Sequence, residues 1–548
     1  MPMSQRQRGR QSVSNSSSSS TNLYPELKPL PQAHAPLSCR DPSQAVPFDM
    51  SILTISHRKE VSSIKALIVG GGIAGLSLAV MMDLAGIEYE ILERTTGDEP
   101  SMGSALALGP PVLRLLEQMG LLENIKRVSK EVSGMTVVDS EARKLGRLEG
   151  MDPSRYGYPY RIMTRSAFLK VLLDRIPEGN IHRGKTVIET HQNPNGVFCR
   201  CSDGRTYYGD IIVGADGAQS LTRERMFMQL KEQGKLPDVD MEPSIYEHVT
   251  ITGVSEKLDP KLYPSVQDDK AEFRVIYSKD MPYSFWYLPV VDDQVAWGIS
   301  CHVATPKQQF HSYSEKPGMP VSISGSSPVG VVDPAMFPAP LNRSASSTRI
   351  ANDWHTPAPD FEEKYKDLLD ARCAMGSGTV RDFVKATPRS RISGVDLEER
   401  LYKTWYSGRI VLIGDACHQD LIVGGQGGIQ SLLDGVCLVN LLYDMEYNTP
   451  DEIVRAFKKY HAKRSTVAKS SIGETNSMDK IFHGQGFYAG MMRKLLFSTV
   501  WTFNMNNDRF NCNRPQLSFL PFVEDRATSK ANKQKVSTRL VRNKILTP

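Results

Sequence analysis

A buried-strand run, Ala66-Leu67-Ile68-Val69, leads without a break into Gly70-Gly71-Gly72-Ile73-Ala74-Gly75, and an apolar helix follows over Leu76 to Leu84. A second strand, Tyr89 to Leu92, ends on Glu93, 21 residues past Gly72. This order narrows the segment to a β-α-β unit built round a phosphate-binding turn. Gly70 permits the tight turn, Gly72 lets backbone approach a pyrophosphate, and Gly75 lets the helix pack closely on the strand. The helix N-terminus offers unpaired N–H groups and the positive end of its dipole. Glu93 can accept hydrogen bonds from an adenosine ribose. The unit predicts a bound dinucleotide and leaves open which one.

A chain of 548 residues has room for more than one core. Its 66 basic and 61 acidic residues leave a net charge of +5, which does not point to nucleic acid. The eight cysteines show no C-x-x-C spacing. Cys199 and Cys201 share one face of a strand, but no second pair accompanies them, so the expectation is a reduced, intracellular protein, most simply cytoplasmic, with no metal site. Residues 1–60, with Ser16 to Ser20 in a row and many prolines, read as a disordered extension. Arg6, Arg8 and Arg10 would suit a transit peptide, yet no amphipathic face goes with them, and a flexible extension is favoured. No signal-peptide core and no apolar run of about 18 residues is present.

After Glu93, a small-residue loop from Gly103 to Pro111 precedes a helix from Val112 to Met119. It reads either as backbone lying flat on a ligand or as a tight loop. Thr164 is placed to cap a helix running to Ile176, with Arg165 in its first turn against the dipole preference. Arg165 therefore suits an anionic ligand or a flavin edge, or else a solvated surface. Asp210 to Val213 forms a buried strand ending on Gly214-Ala215-Asp216-Gly217, a second turn of the ribose- or phosphate-facing kind. Runs at 249–254, 272–278, 283–291 and 295–302 predict a separate antiparallel sheet. A stretch over 304–350, rich in Ser, Pro and Gly, reads as an insertion. Further on, a strand from Arg409 to Ile413 ends in Gly414-Asp415-Ala416-Cys417-His418, followed by Gly425-Gln426-Gly427-Gly428 and a helix over Ile429 to Leu442.

Together, GGGIAGL with Glu93, GADG at 214–217 and GDACH at 414–418 with GQGG resemble the class A FAD-dependent monooxygenases, typified by p-hydroxybenzoate and salicylate hydroxylases. The fungal secondary-metabolism members are the nearest in look, and the resemblance covers about residues 64–445. It implies an α/β fold: a Rossmann-like FAD-binding domain of glutathione-reductase type (61–235 and 396–445) with an inserted antiparallel-sheet substrate domain (236–395); beyond 445 the sequence pattern itself reads as a helical C-terminal part (446–525) and a basic tail over 526–548.

Residue by residue, the resemblance implies that Glu93 binds the ribose and Gly70, Gly72 and Gly75 the pyrophosphate. Ala107 would lie against the cofactor, Arg165 would contact FAD, and Asp216 with Gly217 would serve both FAD and NAD(P)H. Asp415 would hold the ribitol, and Gly428 would face the flavin's pyrimidine edge. Tyr277 falls where the family often sets a tyrosine over substrate, or it packs within the sheet. His418 reads as a structural hydrogen-bonder, and Tyr283 and Trp286 as sheet packing. The family's usual proline and asparagine are replaced here by Ile422 and Ile429.

The implied reaction takes electrons from NAD(P)H and one oxygen atom from O2, through a flavin C4a-hydroperoxide, to an aromatic or polyene-type small molecule. Three rivals are an FAD-dependent halogenase, against which Ser284 stands in place of a tryptophan, an NAD-dependent dehydrogenase, against which the Gly414-Asp415 and GQGG motifs stand, and a catalytically impaired flavin-binding protein. Gly490 to Met505 suits a core helix or a membrane-surface segment, with the core reading favoured. Arg514 to Pro521 reads as an extended closing segment, and the oligomeric state is not legible.

Overall fold

A computed structural model of the protein describes residues 64–97, 105–149, 152–277, 283–309, 365–419, 425–483, 491, 508 and 510–546. Two sheets organise them. The first has six strands, ordered Tyr406–Ser407, Ile410–Leu412, Ile211–Gly214, Lys65–Val69, Glu88–Glu93 and Ile181–Arg183. All neighbours are parallel except the pair Tyr406–Ser407 and Ile410–Leu412. Parallel strands are buried on both faces, and Ala66, Leu67, Ile68, Ile212, Val213, Ile410 and Leu412 are all fully buried. Helix α1 (Ile73–Ala85) packs on this sheet, and its C-terminus closes on Gly86 in a left-handed cap.

The second sheet has nine strands. Along its path lie Ile392–Leu397, Ser244–Val254, Val295–Gln309, Tyr283–Pro289, Lys270–Tyr277, Lys130–Val138, Arg161–Thr164 and Ala105–Leu108, while Lys144–Glu149 pairs with Lys130–Val138. This corrects the expected antiparallel sheet confined to 236–395. Strands from 105–164 complete the sheet, and Lys270–Tyr277 joins Lys130–Val138 in parallel. A pairing between segments so far apart leaves no trace in local periodicity. The strand Val295–Gln309 also runs beyond 304, where an insertion was expected to begin; the rest of that stretch, 310–350, lies outside the described residues.

Helix α2 (Pro110–Gln118) carries proline at its first turn, where a missing N–H costs nothing. In α3 (Arg165–Leu173), Thr164 is the cap, its hydroxyl accepting from the Ala167 amide at 3.2 Å. Helix α4 (Leu221–Glu232) is capped by Ser220. Helix α5 (Gly427–Tyr443) lies beside α1, and α6 (Pro450–His483) packs on α5.

Past α6, the irregular backbone covers the extended segment expected at Arg514 to Pro521 and runs beyond it. Residues 512–537 cross α2 and α5 as an irregular strap. The Leu517 amide donates to Gln118 Oε1 at 2.7 Å, the Ser518 amide to Asn440 Oδ1 at 2.7 Å, and Arg114 Nη2 to the Val523 carbonyl at 2.6 Å. Side chains supply the partners a helix would supply internally. The basic tail, in turn, ends in a helix, α7 (Thr538–Leu546), anchored by Ser537 Oγ donating to Asp444 at 2.5 Å. The segment Gly490 to Met505 lies outside the described residues, Met491 excepted. Among the described residues, no helix is long and apolar enough to cross a membrane.

Candidate functional site

The glycine turn leaves the C-terminal end of Lys65–Val69 and enters α1. Gly70 has φ +106°, and a Cβ there would lie 2.5 Å from the Ala215 carbonyl oxygen. The turn thus presses against the neighbouring 214–217 turn, a contact that tolerates glycine alone. A Cβ on Gly75 would lie 1.9 Å from the Gly70 oxygen, so the helix sits directly on the turn. At Gly72 the nearest atom to such a Cβ is Arg165 Nη2, 3.9 Å away. The α1 N-terminus therefore faces open space with a guanidinium beside it, which is suited to a phosphate.

That space is one end of a cavity of about 370 Å³, lined by Gly70, Gly72, Glu93, Arg165, Asp216 and Gly217, with Arg94, Arg183 and Lys185 at its margin. Glu93 Oε2 accepts from the Gly71 amide at 2.5 Å and Oε1 from the Thr95 amide at 2.8 Å. The two bonds hold the carboxylate at the cavity wall. Asp216 lines the same wall but is fully engaged in holding its own turn. Its oxygens accept from Ser220 Oγ at 2.5 Å and from the amide and hydroxyl of Thr222 at 2.9 and 3.0 Å.

The second motif lies along the sheet. The Gly414–Ala416 turn follows Ile410–Leu412, and Asp415 Oδ1 is 3.9 Å from where a Gly427 Cβ would lie, at the first turn of α5. Asp415 is solvent-exposed but crowded by protein. That crowding pushes its pKa up, opposed by His418 and Arg165 and aided by Asp434. Helix α5 begins at Gly427, two residues earlier than expected, so Gly428 sits within its first turn. Close packing there needs the glycine: a Cβ would meet Leu106 Cδ1 at 2.6 Å. Leu106 thus abuts the α5 N-terminus, whereas Ala107 points to the other face and packs in the cluster containing Ile162, Phe273 and Trp286.

Behind the turn is a network that the motifs did not announce. Asp434, fully buried on α5, accepts from the Gly414 amide at 2.9 Å, from His418 Nε2 at 2.7 Å and from Arg464 Nε of α6 at 2.7 Å. Arg464 Nη2 also donates to Gln430 Oε1 at 2.6 Å. His418 is the structural hydrogen-bonder the sequence suggested, with Trp405 tilted against its ring. Cys417, His418 and Asp434 could in principle ligate a metal, but the Arg464 guanidinium already holds the carboxylate. On the turn's other side, Arg223 reaches across from α4, donating to the carbonyls of Ala416 at 3.0 Å and Ala218 at 2.8 Å. Asp434, inside the apolar run Leu432 to Val436, was the available signal for this network, whereas Arg464 stands in a polar, basic stretch that gave none.

Burial would push the Asp434 pKa up, but His418 and Arg464 overcome it and bring it to about 2. The folded pKa is below the unfolded one, so this stabilisation is present above about pH 4 and disappears as pH falls through 2. It amounts to about 2 kcal/mol. Denaturant unfolding between pH 5 and 2 should show this loss, and Asp434→Asn should flatten it. An unchanged slope in the variant would rule the assignment out.

Two predicted positions lie partly or wholly outside the described residues. Tyr277 ends its strand opposite Ser284, its side chain undescribed, and Ile422 is undescribed entirely. Ile429 is buried in the main core.

A β-α-β glycine turn, a second acid-bearing turn and a large sheet beside them define a flavin-dependent oxidoreductase architecture. The sequence profile for the FAD binding domain matches residues 63–336 and 348–475, so the chain belongs to that family and is a class A FAD-dependent monooxygenase. Its relatives include the FAD-dependent monooxygenase cle3 of Aspergillus versicolor, 26% identical over 392 residues, 70% of this chain and 68% of the relative. Another is atmM of Aspergillus flavus, 26% identical over 389 residues, 69% of each chain. Among solved structures, Klebsiella pneumoniae HpxO complexed with FAD and uric acid aligns with a TM-score of 0.59 at 17% identity, over 81% of this chain and 95% of that one. A salicylate hydroxylase substrate complex aligns with a TM-score of 0.53 at 18% identity, over 83% and 99%.

The residues present fit FAD. The space at Gly72 accepts a phosphate, the Asp415 carboxylate has no hydrogen-bond partner among the described residues, and Gln426 Oε1, at the α5 cap, is buried without one. Glu93 and the glycine turn would hold the adenosine end, and Asp415 with the α5 N-terminus the flavin end.

Proposed function

We propose that this enzyme uses NAD(P)H and O2 to insert one oxygen atom into a small organic molecule bearing an electron-rich ring or alkene, by hydroxylation or epoxidation. Secondary-metabolite biosynthesis is the setting its fungal relatives suggest. FAD supplies the redox and oxygen-transfer chemistry when bound. The chain's part is to hold it, shape the substrate cavity and exclude water.

One observation carries the substrate class. The nine-stranded sheet has two unlike faces. One packs Phe285, Tyr287, Trp297 and Phe383 into an apolar core. The other carries Phe273 stacked on Trp286, with ring centroids 5.9 Å apart and planes 17° from parallel. Trp286 lies across Gly298, where a Cβ would fall 2.4 Å from its indole. Hydroxyls of Thr250, Thr252, Ser300 and Ser393 pair on neighbouring strands, Thr250 with Ser300 and Thr252 with Ser393. Ala105 and Ala107, on the strand abutting the flavin end, belong to this face. An aromatic platform bordered by hydroxyls suits an apolar ring or conjugated chain with a few oxygens. Trp286 is here read as a substrate wall and not as packing alone.

The test uses the FAD-loaded protein with candidate aromatic and polyene compounds under 18O2. One labelled oxygen in the product, with NADPH or NADH oxidation rising on substrate addition, supports the proposal. Reductant consumption that no candidate stimulates, or label arriving from water, counts against it. Trp286→Ala should raise KM about 10-fold while leaving the flavin spectrum unchanged. An unaltered KM would remove Trp286 from the substrate wall.

A further inference from the structure

We propose that Asp434, tied to His418 and Arg464, is the positioning residue that aims Asp415 at the flavin end of the cofactor. The inference rests on the reading of Asp415 as the ribitol acceptor and goes beyond it, since all three residues are buried behind the turn that carries Asp415.

Asp415 has no hydrogen-bond partner among the described residues, so its aim is set by the backbone that carries it. That backbone is unusual. Gly414 has φ +60°, and a Cβ there would lie 2.8 Å from Ser431 Oγ and 3.2 Å from Ala74 Cβ. The amide of Gly414 has one acceptor, Asp434 Oδ2, at 2.9 Å. The same oxygen takes His418 Nε2 at 2.7 Å, so a single carboxylate ties both ends of the Gly414–His418 turn. Its other oxygen is fixed by Arg464 at 2.7 Å, and Arg464 is anchored again on Gln430. Asp434 and Gln430 are one helical turn apart on α5, whose N-terminus faces the same flavin end. The network therefore sets turn, acid and helix N-terminus as one unit, and Arg464 links that unit to α6. The adenosine end, formed by Glu93 and the 70–72 turn, has none of these residues in its wall.

This separation makes the role testable with two ligands. Apo-protein is titrated with FAD, which spans both ends, and with ADP, which reaches only the adenosine end. Asp434→Asn, His418→Gln and Arg464→Lys are compared with wild type and with Asp415→Ala. Asp434→Asn should weaken FAD about 10–100-fold, as expected for lost hydrogen bonds to a charged group, while ADP changes by less than about three-fold. Arg464→Lys should fall between Asp434→Asn and wild type. In the double variant with Asp415→Ala the losses should not add, because both act at one group. A parallel loss of ADP and FAD would mark the network as general scaffolding and overturn the inference. So would undiminished FAD binding in Asp434→Asn and His418→Gln. A wild-type protein that binds neither ligand would instead overturn the cofactor reading on which the inference stands.

Discussion

Gly75→Ala is expected to give a protein that purifies almost free of flavin and unfolds several degrees below wild type. The added methyl would lie 1.9 Å from the Gly70 carbonyl oxygen, 3.1 Å from its carbon and 3.3 Å from Ile68 Cγ2. A flexible side chain can swing away from such contact, but backbone cannot. Gly70 is itself pressed against the Ala215 backbone and held by the hydrogen bond that its N–H donates to the Leu92 carbonyl at 2.9 Å. The remaining relief is for α1 to lift from the strand. Leu76, Leu78, Ala79, Met81 and Met82 are all buried there, so overpacking costs about 1–3 kcal/mol or more. Lifting also withdraws the Gly72 end of the helix from the phosphates, and FAD affinity should fall on the order of 100-fold. The readouts are the flavin-to-protein absorbance ratio and the thermal midpoint. Gly179→Ala, at a site with no atom within 4 Å and no positive φ, is the matched control and should change neither. A Gly75→Ala protein with full flavin and an unchanged midpoint would show that helix and turn are not packed as described.

The turn at Gly70 was legible because its parts are consecutive in the chain. Strand, glycines, helix, second strand and Glu93 fall within 30 residues, and each places its neighbour by local geometry. Asp415 was legible for the same reason. The second sheet was half legible. Alternation and apolar runs announced strands at 249–254, 272–278, 283–291 and 295–302, but nothing local says that Lys270–Tyr277 will pair in parallel with Lys130–Val138. The buried network shows the same limit at the level of side chains. Asp434, Arg464 and His418 belong to separate elements, and only tertiary packing brings them together. The two faces of the sheet were hidden as well, since the motif pattern cannot say that Trp286 lies over Gly298. Residues 514–521 were expected to be extended, but nothing local says that the strap is held by Gln118, Asn440 and Arg114, partners remote in sequence.

Arg464→Met is expected to destabilise the fold by about 3–5 kcal/mol, the cost of removing one partner from a buried ion pair. The thermal midpoint should fall by roughly 3–5 °C. The arginine's own packing is not the main loss, because methionine fills much of the same volume. The cost lies in what remains. Asp434 is fully buried, and without Arg464 it keeps only His418 as a countercharge. Its carboxyl should then titrate higher, which moves acid unfolding to higher pH than in wild type. Tyr460, one turn earlier on α6, donates to the Leu412 carbonyl at 3.1 Å, so a shift of α6 would also loosen the strand leading into Gly414. Pairing the variant with Asp434→Leu separates charge from packing: with no carboxylate left to compensate, Arg464→Met should cost far less in that background. Equal losses in both backgrounds would assign the effect to packing and remove the ion pair from the account.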